Sequence, residues 1–324
     1  MSLLKSDIER NDSPLFFSII DYQNNKFLSK NANEVMEFYE GFRSVEDMVE
    51  WMKSRPKGKA NIREISGNKN IVVVIPTIDA NGEHSLRCKE SIFHGLQLIF
   101  VESGVDNNYF NYAHNVNIGI KIALKYNPHW IICSNDDMYK IDDINVLVEK
   151  LSRIDNRKIK AVFVTPSAYH SYGSSIGKKR PILSHLGFYS YNLIKGSVKK
   201  FRLQYMLWNR YKVKWLQGPR NFFISKIFLK APLQVNITSS FSIFSGTWCN
   251  KVNGQILEEG YINGVEDWEL SLKLSVKDDS NLFLDYRIGD MIGTSFGNDI
   301  TRSLRDVANI VYFNQRITDL IESN

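Results

Sequence analysis

The stretch Trp130-Ile131-Ile132-Cys133-Ser134-Asn135-Asp136-Asp137-Met138 decides the fold. Its apolar half predicts a short buried strand, and its polar half places two carboxylates where that strand ends. Open α/β sheets bind ligands at the carboxyl ends of their strands, so these acids are candidate ligand contacts. Adjacent aspartates can hold a hard divalent cation, which in turn can hold the phosphates of a nucleotide. The alternative interpretation is that Asp136 and Asp137 only begin a turn or cap a helix.

Further apolar segments on either side of this stretch alternate with helical sequence. Residues 71–75 are β-branched throughout and are closed by Pro76-Thr77, which is typical of a strand covered on both faces. Residues 98–101 and 161–164 predict two more strands, and residues 115–126 predict a helix. Strands that alternate with helices predict an α/β fold with a mostly parallel central sheet, flanked by helices and joined by right-handed crossovers.

Periodicity divides the chain into three parts. Residues 31–53 carry apolar side chains at helical spacing, which Gly41 divides into two short helices, and the polar residues 55–70 predict a linker. The three predicted parts are an N-terminal helical extension (1–68), a main α/β domain (69–300) and a C-terminal helical tail packed on the core (301–324).

The composition is typical of a globular intracellular protein. The chain has 324 residues and 43% hydrophobic content, which is enough for a large core. No apolar run reaches the length of a membrane span and residues 1–10 lack the apolar stretch of a signal peptide, so we expect a cytoplasmic location. The three cysteines are far apart, which excludes a zinc knuckle or a disulfide framework. The glycine-rich motifs of dinucleotide-binding dehydrogenases and P-loop enzymes are missing.

One long segment of the chain is strongly basic. Residues 156–257 contain no Asp or Glu and carry 17 Lys or Arg, whereas the rest of the chain holds all 35 acidic residues. Within this segment, residues 195–230 interleave basic and aromatic side chains. The pattern favours an anionic partner and is compatible with peripheral contact of residues 195–230 with the anionic inner face of a membrane. The alternative is a solvated basic face with the aromatic side chains in the core.

Five short motifs follow one another along about residues 70–297. They are Val73-Val74-Ile75-Pro76-Thr77, Glu102-Ser103-Gly104, Asn117-x-Gly119, Asn135-Asp136-Asp137-Met138 and Asn263-Gly264-Val265-Glu266-Asp267-Trp268-Glu269-Leu270. In this order they resemble family 2 of the GT-A glycosyltransferases. The resemblance implies a GT-A-like fold, with a nucleotide-binding half (69–166) and an acceptor half (167–300).

The resemblance also implies a reaction and a role for each group. The chain would transfer a sugar from a nucleoside-diphosphate sugar to an acceptor hydroxyl, with inversion by direct displacement. Asp137 with Asp136 would hold Mg²⁺ or Mn²⁺ on the donor diphosphate, and Asp267 or Glu266 would be the catalytic base. The nucleotide would meet Pro76, Thr77, Asp79, Glu102, Ser103, Asn117 and Asp136.

The acceptor implied by this chemistry is a glycan, a lipid-linked sugar or another hydroxyl compound. Gly246, Thr247 and Trp268 are the candidate acceptor contacts, since a small residue lets a substrate approach the backbone. The chemistry itself needs a carboxylate to take the hydroxyl proton and a cation to neutralise the departing diphosphate. Two acid clusters on different elements supply both.

Two features depart from the family pattern. A histidine that often follows the Glu-Asp pair as a metal ligand is missing, because the last histidine of the chain is His185, and Asp290 is the nearest substitute. Asn135 replaces the first aspartate of a strict Asp-x-Asp. The acids Glu266 and Asp267 are also explained by the first turn of a helix, where the helix dipole favours negative charge.

Two other classes of function stay open at this point. One is a catalytically inactive protein that binds a nucleotide sugar. The other is a protein that binds nucleic acid or anionic lipid through the basic segment 156–257, with cations on phosphates and aromatic rings on bases. Nucleic acid is the less favoured partner, because it would not require acid pairs at strand and helix ends.

Overall fold

The computed structural model describes residues 14–167, 169–180, 215–217, 221–275, 280–291 and 300–322. Its helices are α1 (Pro14–Leu28), α2 (Ala32–Glu40), α3 (Val45–Ser54), α4 (Glu83–Arg87), α5 (Tyr112–Ala123), α6 (Ile144–Ser152), α7 (Phe222–Phe228), α8 (Gly246–Lys251), α9 (Glu266–Ser275) and α10 (Ile300–Glu322). Its strands are β1 (Asn61–Ile65), β2 (Asn68–Thr77), β3 (Leu96–Glu102), β4 (Trp130–Ser134), β5 (Met138–Lys140), β6 (Ala161–Phe163), β7 (Tyr172–Lys179), β8 (Trp215–Gln217), β9 (Leu229–Ile237), β10 (Phe241–Ser245), β11 (Asn281–Phe283) and β12 (Ile288–Asp290).

A mixed, mostly parallel sheet forms the centre of the described structure. Its seven strands lie in the order β1-β3-β2-β4-β10-β6-β11. Strands β2, β3, β4, β6 and β11 point one way, whereas β1 and β10 are antiparallel to their neighbours. Helices cover both faces of this sheet through two apolar cores. The α/β class predicted from the sequence is confirmed, and the architecture is compatible with a Rossmann-like fold.

The structure corrects two sequence-based expectations about this sheet. Residues 55–70 are not only a linker, because β1 adds an antiparallel strand at the edge beside β3. The strand at residues 161–164 does not adjoin β4, because β10 lies between β4 and β6 and pairs with both. Each difference is a pairing between distant segments, which local periodicity does not encode.

The ends of β2, β3 and β4 lie at one edge of the sheet. Thr77 is the register partner of Glu102, and Val74 is the partner of Cys133 on the other side. The three parallel strands therefore deliver their following residues, including Asp136, to a common edge. This is the position at which open α/β sheets place their ligand sites.

The N-terminal helices share a core with the C-terminal helix. Side chains of α1, α2 and α3 pack with α10 and with the segment before α9. Tyr39 donates a hydrogen bond to the carbonyl of Leu304, and Arg305 Nε donates one to the carbonyl of Phe27 at 2.7 Å. The predicted N-terminal extension is therefore packed into the main body of the protein instead of standing apart from it.

Two smaller sheets complete the described structure. Strands β5 and β12 form an antiparallel ribbon, and β8, β7 and β9 form a three-stranded sheet. Most of residues 195–230, the predicted membrane-facing segment, lies outside the described residues. Within the described ranges, no helix combines the length and the apolar character needed to cross a membrane.

Gly119 sets the distance between α5 and the sheet. A Cβ at this position would lie 2.2 Å from Val74 Cγ1 and 3.0 Å from Val101 Cγ2. Both valines are buried in the core below α5. The glycine of the Asn117-x-Gly119 motif therefore permits close packing of a helix on strands β2 and β3.

We predict that Gly119→Ala destabilises the protein by about 1–3 kcal/mol, because the added methyl group overlaps side chains that cannot move aside. Helix propensity alone would give the opposite sign, a gain of about 1 kcal/mol. Urea unfolding measures the difference. Gly173→Ala is the matched control, since a Cβ there meets nothing nearer than 4.0 Å. Equal or greater stability of Gly119→Ala would show that α5 is not held this close to the sheet.

Candidate functional site

The two predicted acid clusters are joined by a short chain of hydrogen bonds. The backbone N–H of Asn135 donates to the carbonyl of Ser240 at 2.8 Å. The neighbouring residue, Ser239, donates a side-chain hydrogen bond to Asp267. Consecutive Cα atoms are about 3.8 Å apart, so this pair of serines brings the segment that carries Asp136 and Asp137 close to the start of α9. The structure thus brings both acid clusters to one edge of the sheet.

Asp136 is oriented by the end of β2. Thr77 Oγ1 donates to Asp136 Oδ2 at 2.6 Å and lies 3.0 Å from Ser85 Oγ. Thr77 is buried, and its single proton is used in this network. Its role in this structure is therefore to position Asp136, whereas the sequence-based prediction made it a contact of the nucleotide.

Asp137 has one buried oxygen without a hydrogen-bond partner. Its Oδ1 accepts no hydrogen bond from any residue that the structure describes. Burial raises the pKa of Asp137, and the charges of Asp136 and Asp290 raise it further, against an opposing effect of His84. A buried polar atom without a partner costs free energy. The arrangement therefore fits a positively charged or proton-donating ligand at Oδ1.

Asp136 and Asp137 fit a cation that also binds phosphate groups. Mg²⁺ commonly binds through one or two carboxylates together with substrate phosphates and water. In the part of the chain that the structure describes, no group of three or more His, Cys, Asp or Glu side chains is close enough to hold a metal by itself. Asp290, the predicted substitute for the missing histidine, accepts hydrogen bonds on both oxygens, from Ser240 and Ser167.

Glu266 and Asp267 begin α9 and repel each other. Glu266 is buried, and its Oε2 accepts no hydrogen bond within the described residues. Burial and the charge of Asp267 raise the pKa of Glu266. Burial also raises the pKa of Asp267, although the Ser239 hydrogen bond opposes this effect. Two neighbouring carboxyls with raised pKa values are typical of groups that exchange protons at neutral pH.

Three buried asparagines hold the loop that leads into α9. Asn111 Nδ2 donates to the carbonyls of Glu259 and Tyr261, and Asn309 pairs with both backbone groups of Ile262. Asn117 Oδ1 accepts from the backbone N–H groups of Ile256 and Leu257, and its Nδ2 donates to the Leu257 carbonyl and to Glu259. The loop is thereby fixed from both α5 and α10.

The same loop contains strained backbone next to the acid pair. Val265, directly before Glu266, has φ = 74°, and Asn263 has φ = 49°. A β-branched residue rarely adopts the left-handed region, and such a conformation costs about 1–3 kcal/mol. Asn263 is held by two side-chain hydrogen bonds, from the Tyr112 N–H and to the Phe110 carbonyl. The surrounding contacts thus impose the direction in which Glu266 leaves the loop.

Other predicted nucleotide contacts lie at the same edge with different surroundings. Glu102 Oε2 accepts from the Ala80 N–H at 3.0 Å and pairs with Arg63 at 3.2 Å. The Ser103 N–H and hydroxyl both reach the Thr77 carbonyl. Pro76 is buried at the end of β2, whereas Asp79 is exposed in the loop after it. Asp79 and Glu102 are therefore the accessible acids of this group.

Three predicted contacts need correction. Asn117 is completely buried, and all four hydrogen-bonding positions of its amide are used within the protein, so none is left for a nucleotide. Gly246 and Thr247 follow Ser245, which pairs with Trp130 at the start of β4. They therefore lie at the opposite edge of the sheet from Asp137. Gly246 is small because a Cβ would lie 1.9 Å from the Pro128 carbonyl oxygen.

Trp268, the third candidate acceptor contact, lies beside Asp267 in the first turn of α9. It is partly exposed and packs edge-on against Phe313 of α10, with ring centroids 6.0 Å apart. The indole therefore has a structural contact on one side and solvent access on the other. Its predicted contact with an acceptor stays a prediction.

The structure adds residues that the sequence did not single out. Burial raises the pKa of Tyr112, and the charges of Glu266, Asp267 and Asp137 raise it further, which places the phenol near both acid clusters. Arg87 donates to Met291 Sδ, and the N–H of Met291 donates to the Asp137 carbonyl. The only local signal for Arg87 is its position soon after the end of β2, and Tyr112 has none.

The comparisons with known proteins give no family assignment. A scan against protein-family models matches none of them to this chain, and a search of curated proteins finds no match. The function is therefore argued from the geometry of the acid clusters and from the short motifs that place them.

We predict that Glu266→Gln stabilises the protein at neutral and mildly alkaline pH and has little effect below the usual pKa of glutamate. A carboxyl whose pKa is raised in the folded state favours folding while protonated, and this contribution is lost as pH rises through the folded pKa. The amide cannot ionise, so its advantage over wild type should grow with pH. Thermal unfolding across this pH range measures the effect.

Glu269→Gln, three residues further along α9, is the control with the opposite sign. Although burial opposes ionisation, Arg316 and Lys273 lower the pKa of Glu269 to about 2. Removing one partner of a buried ion pair costs about 3 kcal/mol, so this variant should be less stable at neutral pH. The same sign for both variants would contradict the charge distribution described for α9.

Proposed function

We propose that the protein is a metal-dependent glycosyltransferase of the GT-A type, which transfers a sugar from a nucleoside-diphosphate sugar to an acceptor hydroxyl. One observation carries the proposal. Asp137 and the pair Glu266–Asp267 come from chain segments about 130 residues apart, meet through Ser239 and Ser240, and each present a buried carboxylate oxygen without a protein partner. Such atoms need an explanation in a native structure, and a ligand supplies one.

The architecture supports a nucleotide donor. The two acid clusters lie where parallel strands end, and Thr77, Glu102 and Ser103 follow the two neighbouring strands at the same edge. Open α/β sheets bind nucleotides in this position. Arg87 and His84 of α4 add positive charge near Asp137, which favours a diphosphate over a neutral ligand.

The metal would be held by Asp137, with Asp136 beside it. When bound, Mg²⁺ or Mn²⁺ supplies positive charge that neutralises the departing diphosphate. Thr77 keeps Asp136 in one orientation through its 2.6 Å hydrogen bond. The buried Oδ1 of Asp137 gives the pair an oxygen that is free of competing hydrogen bonds within the described residues.

Asp267 is assigned as the catalytic base. It is more exposed than Glu266 and accepts the Ser239 hydrogen bond, so it is the carboxyl of the pair that ionises first. Its raised pKa makes it a better proton acceptor near neutral pH. Asp267 takes the proton from the acceptor hydroxyl while that oxygen forms a bond to the anomeric carbon and the bond to the diphosphate breaks. A single displacement of this kind inverts the anomeric configuration.

Glu266 acts on Asp267 from the buried side of the pair. Its charge raises the proton affinity of Asp267 when both are ionised, and protonation of Glu266 removes that repulsion. The strained Val265 and the asparagines around the loop hold Glu266 in place at a cost in stability. Functional sites commonly carry such strain.

Peripheral contact with an anionic membrane is proposed in addition. Helix α7 exposes Phe223, Ile224 and Ile227 beside basic residues of the acid-free segment. Apolar side chains next to lysines are typical of surfaces that meet anionic lipid head groups. This would suit a lipid-linked acceptor at the inner face of the membrane, with the protein otherwise in the cytoplasm.

We predict that one nucleoside diphosphate or its sugar raises the melting temperature only when Mn²⁺ is present, because a ligand that binds the folded state alone stabilises it. At a ligand concentration about 100 times Kd the gain is about 2.7 kcal/mol. Asp137→Asn should abolish the shift, whereas Asp155→Asn, in an exposed turn, should preserve it. No shift with any nucleotide, beside clear binding to nucleic acid or anionic vesicles, would favour the binding-protein alternative.

We predict that Asp267→Asn lowers the rate of sugar transfer by about 10²- to 10⁴-fold, which is the usual contribution of a general base. The donor identified by thermal stabilisation is the substrate, and release of nucleoside diphosphate is the readout. Metal-dependent stabilisation by the nucleotide should persist, because Asp267 does not hold the donor. Glu266→Gln should lower the rate by a smaller factor. A larger loss in Glu266→Gln than in Asp267→Asn would exchange the two roles.

A further inference from the structure

A pocket of about 300 Å³ lies between the β5–β12 ribbon and the loop that follows β6. Its lining includes two aromatic side chains, Tyr139 and Tyr169, the hydroxyls of Thr165 and Ser167, and the charged residues Arg287 and Asp290. We call it the Tyr139–Tyr169 pocket. Its volume is at the lower end of the range for small-molecule sites, so it suits a ligand of about the size of one sugar ring.

The pocket is connected to the proposed base by two consecutive residues. Ser239 donates to Asp267, and the next residue, Ser240, donates its hydroxyl to Asp290 in the pocket wall. The Ser240 N–H also donates to the Tyr169 carbonyl at 3.4 Å. Because adjacent residues are only about 3.8 Å apart, a ligand in the pocket lies near the carboxylate that is assigned to take a proton.

The wall beside Asp290 is rigid and its charges are paired. Ser167 Oγ donates to Asp290 Oδ2 at 2.7 Å, and Nε2 of the buried His170 lies 3.4 Å from the same oxygen. Arg287 is bound by Asp142, with Nη2 2.8 Å from Oδ1. The formal charges around the pocket are therefore satisfied within the protein, which favours a neutral ligand over an anionic one.

The exposed surfaces of the pocket have the chemistry of a carbohydrate site. Tyr139 and Tyr169 are 44% and 42% exposed, and their rings offer flat apolar faces to the C–H groups of a pyranose. Hydroxyls of Thr165 and Ser167 lie in the same lining and can exchange hydrogen bonds with sugar hydroxyls. A purely apolar ligand would leave these polar groups unpaired at a cost.

We propose that the Tyr139–Tyr169 pocket is the acceptor subsite and binds a neutral pyranose ring of a glycan. This rests on the proposed function, because the role of acceptor follows only if Asp267 is the base. The pocket replaces Gly246 and Thr247, which lie at the opposite edge of the sheet, as the acceptor contacts of this chain.

Gly289 offers a way to move one ring without removing it. The Tyr139 ring lies directly over Gly289, where an added Cβ would come within 2.0 Å of the ring carbon Cζ. Tyr139 is register partner of Gly289 in the β5–β12 ribbon and is partly exposed, so the ring can swing away into solvent. Gly289→Ala therefore displaces the ring while preserving the backbone pairing.

The test is saturation-transfer NMR of the full chain with a panel of neutral mono- and oligosaccharides. Tyr139→Ala, Tyr169→Ala and Gly289→Ala should each weaken glycan binding by about tenfold, since one aromatic contact contributes on the order of 1 kcal/mol beyond its area. Tyr139→Phe should bind as wild type does. Tyr22→Ala, an exposed tyrosine on α1, is the control for loss of a surface ring. Melting temperatures confirm that each variant is folded.

The outcomes separate this proposal from the proposed function. Glycan binding that depends on Tyr139 and Tyr169 and survives Asp137→Asn supports the pocket, even if no nucleotide binds and the transferase proposal fails. Sugar transfer with an acceptor KM unchanged in all three variants would overturn the pocket and leave the transferase intact. Failure of the wild-type protein to bind any saccharide in the panel would also overturn it.

Discussion

A buried ion pair fixes the helix that carries the acid pair. Glu269 is almost completely buried and binds Arg316 through two hydrogen bonds of 2.6 and 2.7 Å, with Lys273 and Tyr261 completing its partners. The desolvation of such a pair offsets much of its attraction, so its main contribution is geometry. It permits one orientation of α9 against α10. Because α10 also packs on the N-terminal helices, the first and last parts of the chain both support the start of α9.

The loop before α9 shows how this support is used. Asn111 and Asn117 hold it from α5, Asn309 holds it from α10, and the backbone at Val265 accepts an unfavourable conformation in return. The hydrogen bonds of three buried amides outweigh a local cost of about 1–3 kcal/mol. The result is that two carboxyls are held beside each other at the edge where the parallel strands end.

Strain and unsatisfied polar atoms concentrate at this edge. The central strands are apolar and fully packed, whereas Asp137 and Glu266 each keep a buried oxygen that no described residue satisfies. Proteins give up stability at functional sites in this manner, since groups arranged for a ligand are poorly arranged for the empty fold. The thermodynamic cost at Asp137 and Glu266 and the proposed chemistry have the same physical origin, namely burial of charge.

The sequence by itself determined the local properties. The apolar runs at β2, β3 and β4 and the acids after β4 were predictable, because burial and chain direction leave a pattern within a few neighbouring residues. Only the tertiary structure decided that β10 enters between β4 and β6 and links the acid clusters through Ser239, that Asn117 is used up inside the protein, and that Gly246 lies at the opposite edge of the sheet. These outcomes depend on which distant segments pair, and pairing is decided by the packing of the whole chain rather than by local periodicity.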